Sequence, residues 1–185
     1  MKTTKTIFTH PSRRMQSWDY SKPGYYFITI VIKNRRRWFG EIRDGAMRKT
    51  RLGEFAEQSW KSTADLRPGM NLWLGEFVVM PDHFHALIFI GGYRDEACPS
   101  DELADSVWQS NSLEELIRPK NHFGTQSKNL ASIIRGFKAA VTAEARRQGI
   151  AFDWQERYHD SVLRSAGDLL HVRNYISKNA ENWEG

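Results

Sequence analysis

Hydrophobic and polar positions follow two different periods along this chain, and each period predicts a different kind of element. An unbroken aromatic and β-branched run at residues 25–32, YYFITIVI, is typical of a buried strand. Apolar residues spaced by three and four positions from Leu52 onward predict an amphipathic helix over 52–65. The same criteria predict a hairpin with strands at 38–42 and 46–49, strands at 72–80, 83–90 and 161–164, and helices at 130–149 and 166–182. This order predicts an α+β fold, with helices packed on a mainly antiparallel sheet.

The chain of 185 residues suits a single domain, 1–185, with a real core. Two stretches lack periodicity: a polar, basic segment at 1–24 and an acidic, irregular insertion at about 93–128, with a short helix predicted at 113–117. No apolar run is long enough to span a membrane, and the first residues lack the apolar core of a secretory signal. A single cysteine, Cys98, excludes an internal disulfide and a cysteine-based zinc site. These features predict a cytoplasmic protein of bacterial type.

Charge is distributed unevenly along the sequence. The net charge is +5 and the isoelectric point about 9.4. Residues 1–51 carry thirteen Lys and Arg but three acids, whereas residues 91–129 carry seven acids and four bases. A basic half in a basic domain indicates a polyanionic partner, most often nucleic acid. The alternative is a basic surface that is simply solvated.

Two histidines, His83 and His85, interrupt the apolar sequence VVMPDHFHALIFI. Side chains two positions apart on a strand project to the same face, so both imidazoles can reach one ion. Two ligands are too few, so a third must come from elsewhere in the chain. The alternative is a pair of core histidines that are hydrogen-bonded to the backbone. Phosphate-binding loops and the common zinc-hydrolase patterns are absent from the sequence.

The stretch PDHFHALI after an apolar strand resembles the His-hydrophobic-His (HUH) signature of single-tyrosine HUH transposases. Further stretches agree: GYYFITIVIKNRRRWFGEI resembles the first strand and hairpin of that family, and QSKNLASIIRGFKAAVT its long helix. WQERYHDSVLRSAGDLLHVRNYISKNAENW resembles its C-terminal block. The resemblance covers about residues 20–183 and is to the REP-associated tyrosine transposases (RAYTs) of the IS200-like superfamily. It implies an HUH nuclease core, a ferredoxin-like or RRM-like antiparallel sheet with helices packed on it.

The resemblance also implies roles for individual residues. In the stretch NYISKN it makes Tyr175 the nucleophile and Asn179 the third metal ligand beside His83 and His85. A spacing of four places Tyr175 and Asn179 on one face of a helix. Relatives commonly have proline where this chain has Ala180, so this helix is expected to continue a little further.

The implied chemistry is transesterification of single-stranded or hairpin DNA through a 5′-phosphotyrosine intermediate, with Mg²⁺ or Mn²⁺ as cofactor. The expected protein is bacterial and nucleoid-associated, and either a monomer or a homodimer. Basic residues of the N-terminal region and the long helix are candidates for phosphate contact, and Trp18 and Trp38 for stacking on bases. The candidate phosphate contacts are Arg13, Arg14, Lys33, Arg35, Arg36, Arg37, Arg135 and Lys138.

Three other functions remain open on the sequence. The same fold can serve as a nucleic-acid-binding module with a vestigial site. A replication-initiator or relaxase-type nickase uses similar chemistry, although such enzymes usually carry further modules. An unrelated metal hydrolase would need a third acidic or histidine ligand nearby, where only Asp82 is found, at a predicted turn.

Overall fold

The computed structural model describes residue 20, residues 23–91 and residues 128–183. Its elements follow the predicted order. They are β1 (Gly24–Val31), β2 (Gly40–Arg43), β3 (Ala46–Lys49), α1 (Arg51–Lys61), β4 (Leu72–Val79), β5 (His83–Ile90), α2 (Leu130–Arg147), β6 (His159–Leu163) and α3 (Ala166–Ser177).

Four strands form the main sheet, in the order β4-β5-β1-β6, and β2 and β3 form a separate hairpin. Every neighbouring pair in the main sheet is antiparallel. The strands and the helices α1 and α2 make two interleaved βαβ units, which is the ferredoxin-like arrangement. The predicted fold class is therefore confirmed.

The central strands β1 and β5 are covered on both faces. Side chains such as Tyr26 and Ile28 share one hydrophobic cluster with residues of α1 and α2. The alternate side chains, such as Phe27 and Leu87, share a second cluster with Leu169, Val172 and Ile176 of α3. Because both faces are buried, these strands have long, nearly continuous apolar runs instead of an alternating pattern.

Each of the three helices begins at a polar cap that is visible in the sequence. Thr50 accepts a hydrogen bond from the Gly53 amide at 3.2 Å, and Ser165 accepts one from the Asp168 amide at 3.1 Å. Asn129 and Ser132 bond each other's backbone amides at the start of α2. Such caps satisfy amides that have no partner within the helix, so they fix where each helix starts.

The predicted helix ends were less accurate. Helix α1 ends at Lys61, where the amide and the hydroxyl of Ser62 both bond the Gln58 carbonyl, and turns replace its predicted last residues. Helix α3 ends at Ser177, so the prediction that it continues through residue 182 was wrong. The residues after Ser177 are mostly polar and offer no apolar stripe for the sheet to bind, so packing gives no reason to extend the helix.

Strand β6 begins at His159, earlier than predicted, because it pairs with β1 from Thr29 onward.

Residues 1–19 and almost all of the insertion at 93–128, including the helix predicted at 113–117, lie outside the described residues. Within the described ranges, no helix combines the length and the apolar character that crossing a bilayer requires.

Gly53 is where helix α1 meets the chain that leads into the β2–β3 hairpin. A Cβ atom at this position would lie 2.2 Å from the carbonyl oxygen of Phe39. That carbonyl also accepts the Thr50 amide at 2.9 Å, so it cannot move away without losing a hydrogen bond. The contact therefore fixes the position of the basic loop that ends at Phe39.

We expect Gly53→Ala to lower the free energy of unfolding by about 1–3 kcal/mol through this clash. Alanine in place of glycine within a helix is otherwise favourable by about 1 kcal/mol. A lower free energy of unfolding would therefore identify the clash as the cause. Gly69→Ala is the matched control, because nothing lies within 4 Å of the Cβ atom it adds. Urea denaturation of both variants checks the prediction, which a stabilised Gly53→Ala protein would contradict.

Candidate active site

The two histidines lie side by side at the start of β5, on the face of the sheet that helix α3 covers. Each is 5% exposed, and their ring centroids are 4.5 Å apart with the planes at 75°. Both rings lie on the same face of β5, as strand geometry predicts for residues two positions apart. Polar rings this deeply buried require hydrogen-bond partners.

His85 is bonded from the neighbouring strand. Thr29 lies directly opposite it on β1, and the Thr29 hydroxyl is 2.8 Å from Nδ1 of His85. The ring of Phe27 is stacked on the imidazole, with centroids 5.3 Å apart and an interplanar angle of 24°. Burial, together with the nearby His83, holds the pKa of His85 well below its ordinary value. His85 is therefore a neutral imidazole, the form that binds a metal ion.

His83 is bonded from the turn that precedes it. Nδ1 of His83 is 2.6 Å from Oδ1 of Asp82, and both side chains are buried. Burial opposes ionisation of Asp82, but the bond with His83 and the charge of Arg35 outweigh it, and the pKa of Asp82 is lowered. A carboxylate only accepts hydrogen bonds, so Nδ1 of His83 carries the proton.

The two Nδ1 atoms are thus occupied, and the Nε2 atoms remain as the donors that a metal ion could use. A polar partner on the far nitrogen is the usual means of orienting a metal-binding histidine. Within the described residues, no three His, Cys, Asp or Glu side chains cluster as a metal site. The histidine pair therefore needs a ligand of another type, such as an amide oxygen.

Tyr175 projects from helix α3 toward the histidines. Its hydroxyl oxygen is 3.3 Å from Nε2 of His85, and the two rings meet edge to face with centroids 5.3 Å apart. Tyr175 is 37% exposed, so it lies at the protein surface beside the buried histidines. Helix α3 is held by its apolar contacts with the sheet and by an ion pair, in which Nε of Arg173 lies 2.6 Å from Oε1 of Glu76 on β4.

Asn179 lies beyond the end of α3, in the turns that follow Ser177. The interpretation that Tyr175 and Asn179 share one face of a continuous helix was therefore wrong. Asn179 is half-buried, and its backbone N–H donates to the Ile176 carbonyl at 3.3 Å. Further along, the ring of Trp183 covers His83, with centroids 5.5 Å apart. Tyr175, which precedes Asn179 in the chain, thus contacts His85, and Trp183, which follows it, contacts His83.

The candidate DNA contacts are divided between the two sides of the sheet. Lys33, Arg35, Arg36 and Arg37 are exposed on the loop between β1 and β2, close to the turn that carries Asp82. Trp38 is half-buried against the core cluster that α1 and α2 share.

Helix α2 packs on the face opposite the histidines, so Arg135 and Lys138 are not brought together with them. Lys138 also donates to the Gln155 carbonyl at 2.7 Å. Arg13, Arg14 and Trp18 lie outside the described residues.

The sequence does not indicate the roles of three residues that contact the histidines. Thr29 is the one polar residue in the run YYFITIVI, and that interruption was the available signal. Asp82 was assigned to a turn, which is correct but incomplete. Trp183 gave no signal, because only the folded chain brings it to His83.

No protein-family model matches this chain. A protein of Haemophilus influenzae, described as uncharacterized, is 32% identical over 176 residues, which cover 94% of this chain and 89% of that protein. The chain belongs to the same family as this protein. A solved structure of a REP-associated tyrosine transposase bound to a REP hairpin matches 92% of this chain and 72% of its own, with a TM-score of 0.53 and 17% identity. The resemblance to the REP-associated tyrosine transposases is thus confirmed at the level of the fold.

The buried, neutral state of His85 predicts a pH dependence of stability. The pKa of His85 is lower in the folded chain than in the unfolded chain, where it is about 6.5. As the pH falls below about 6.5, the unfolded chain gains the proton first, so the free energy of unfolding decreases. The stability that the neutral His85 contributes is complete above about pH 6.5, and it is lost as the pH falls toward the pKa of His85 in the folded protein.

Urea denaturation from about pH 7.5 to about pH 5.5, with EDTA present, measures this slope. We expect His85→Gln to flatten it, because glutamine does not titrate. His171→Gln, at an exposed position of α3, is the control and keeps it. An unchanged slope in His85→Gln would show that the buried imidazole is not its source.

Proposed function

We propose that this protein is a transposase-like enzyme that cleaves and rejoins single-stranded DNA at or near hairpins, through a 5′-phosphotyrosine intermediate and with a divalent metal ion. The observation that carries the proposal is the 3.3 Å approach of the Tyr175 hydroxyl to Nε2 of His85. These residues are ninety positions apart in the chain and belong to different layers of the fold. The contact places a potential nucleophile beside two imidazoles that could hold a metal ion.

The residues present fit a hard divalent cation. Nε2 of His83, Nε2 of His85 and the side-chain oxygen of Asn179 would hold Mg²⁺ or Mn²⁺ and leave positions open for water and phosphate. The bound ion would polarise the scissile phosphate and offset the negative charge that develops on it. The absence of a third His, Cys, Asp or Glu in the described cluster speaks against the alternative of a zinc hydrolase.

Tyr175 supplies the nucleophile. Its oxygen forms a bond to phosphorus and gives up its proton, while the bond from phosphorus to the 3′-oxygen of the preceding nucleotide breaks and that oxygen takes up a proton. The products are a 5′-phosphotyrosine link and a strand with a free 3′-hydroxyl. Attack of a DNA 3′-hydroxyl on this link reverses the reaction and rejoins strands without an external energy source, because one phosphoester replaces another.

The loop between β1 and β2 is the proposed DNA contact nearest the site. Arg35, Arg36 and Arg37 are exposed there, in the basic part of the chain. Phosphate contacts of this kind supply affinity that is independent of sequence and decreases with salt. The transposase of the same fold was solved with a REP hairpin, which supports a hairpin as the first substrate to test.

We expect the protein to form an SDS-resistant adduct with labelled single-stranded hairpin DNA and Mn²⁺, and Tyr175→Phe to form none while it still binds the DNA. Phenylalanine keeps the ring contacts with Phe27 and His85 and removes only the hydroxyl. Tyr158→Phe is the control, because Tyr158 packs against the hydrophobic cluster that the sheet shares with α1 and α2. Adduct formation by Tyr175→Phe would refute the assignment, and binding without any adduct would favour a vestigial site.

We expect His83→Ala and His85→Ala to abolish the adduct, and Asn179→Ala to raise the Mn²⁺ concentration needed for it by about tenfold or more. Electron paramagnetic resonance of Mn²⁺ gives the affinity without DNA. His171→Ala, which removes an exposed histidine of α3, should change neither quantity. An Asn179→Ala variant with unchanged Mn²⁺ affinity would exclude Asn179 as a ligand.

A further inference from the structure

The loop 33–38 is attached at both ends to the turn that precedes His83. The Ile32 amide donates to the Asp82 carbonyl at 2.9 Å, and the Phe39 amide donates to the Pro81 carbonyl at 3.1 Å. The loop and the histidine turn therefore form one unit. A displacement of either is transmitted to the other through these bonds.

The backbone of this loop is strained where it carries Arg35. Asn34 and Arg35 both have left-handed φ angles, 58° and 53°. Two consecutive residues other than glycine rarely adopt this region, and such strain clusters at active sites and ligand-binding segments. In this conformation Nη1 of Arg35 lies 3.5 Å from Oδ2 of Asp82.

Asp82 divides its two carboxylate oxygens between different partners. Oδ1 is 2.6 Å from Nδ1 of His83, and Oδ2 faces Arg35. The Asp82 side chain is 7% exposed, whereas that of Arg35 is 64% exposed. A guanidinium has five N–H donors, so most of those on Arg35 are available to a phosphate while it remains beside Asp82.

We infer that Asp82 is a positioning residue that fixes His83 with Nε2 toward the metal ion, and that Arg35 is shared between this carboxylate and a DNA phosphate. The inference rests on the proposed function. When a phosphate takes up the charge of Arg35, Asp82 interacts more strongly with the Nδ1–H of His83 and makes Nε2 a better donor. Strand binding at the loop and metal binding at the histidines then strengthen each other, as linkage requires.

The first test is the tautomer of His83, which needs neither metal nor DNA. A long-range ¹H–¹⁵N spectrum of the metal-free protein at about pH 8 should show His83 protonated at Nδ1. Asp82→Ala should give a mixture of tautomers, and Asp82→Glu should restore Nδ1–H at least in part. Nε2–H in the wild-type protein, or an unchanged spectrum in a folded Asp82→Ala variant, would overturn the role of Asp82.

The second test is Mn²⁺ affinity, measured by electron paramagnetic resonance. The isosteric variant Asp82→Asn should weaken binding by about tenfold, because the carboxamide keeps the shape and loses the charge. Folding of the variants is checked by circular dichroism. Unchanged Mn²⁺ affinity in Asp82→Asn would overturn the inference even if the protein forms the phosphotyrosine adduct. Failure of the wild-type protein to form an adduct, with the Asp82 effects present, would overturn the proposed reaction alone.

The third test isolates Arg35. A short single-stranded oligonucleotide, added at a concentration that saturates each variant, should tighten Mn²⁺ binding in the wild-type protein and in Arg48→Ala but less in Arg35→Ala. Arg48 is the control, because it is an exposed arginine of β3, lies outside the proposed DNA contacts and has no salt bridge to the described part of the chain. A phosphate that acts only by binding the metal ion directly would tighten binding equally in both variants, and that result would overturn the shared role of Arg35.

Discussion

Two imidazole rings buried in the middle of a sheet are the constraint on which this site depends. The central strands are covered on one face by α1 and α2 and on the other by α3, and each of the two rings is only 5% exposed to solvent. Each ring must therefore find a partner within the protein, and the partners come from two different places. Thr29 is supplied by strand pairing and Asp82 by the turn before the strand. Both hydrogen bonds involve Nδ1. The partners that the buried rings require therefore leave Nε2 of each ring available for chemistry.

The elements were predictable because their signals are local. A buried strand has an apolar run, a surface helix has a period of three to four, and caps such as Thr50 and Ser165 precede the helices they start. The end of α3 was not predictable in the same way, because the turns after Ser177 depend on what the sheet offers to pack against. The early start of β6 likewise depends on its pairing with β1 and not on its own composition.

The site was predictable only in part, for a related reason. Strand alternation alone places His83 beside His85, but Tyr175 was assigned through a family resemblance and not through any property of residues 166–182. Thr29 and Asp82 act through cross-strand register and turn geometry, which a pattern of residue types does not encode. The contact of Trp183 with His83 joins residues one hundred positions apart, and only the folded chain shows it.

Strand β1 lies between β5 and β6, so the first strand of the sheet is fully paired only after the last strand has been synthesised. Thr29 pairs both with His85 and with His159 across the sheet, and Tyr175 follows β6 directly on α3. During synthesis, the chain therefore exposes the histidine-bearing hairpin of β4 and β5 before the tyrosine exists. Contacts this distant in sequence also slow folding. A chain interrupted before β6 and α3 therefore contains the pair of imidazoles but not the tyrosine that lies beside them in the folded protein.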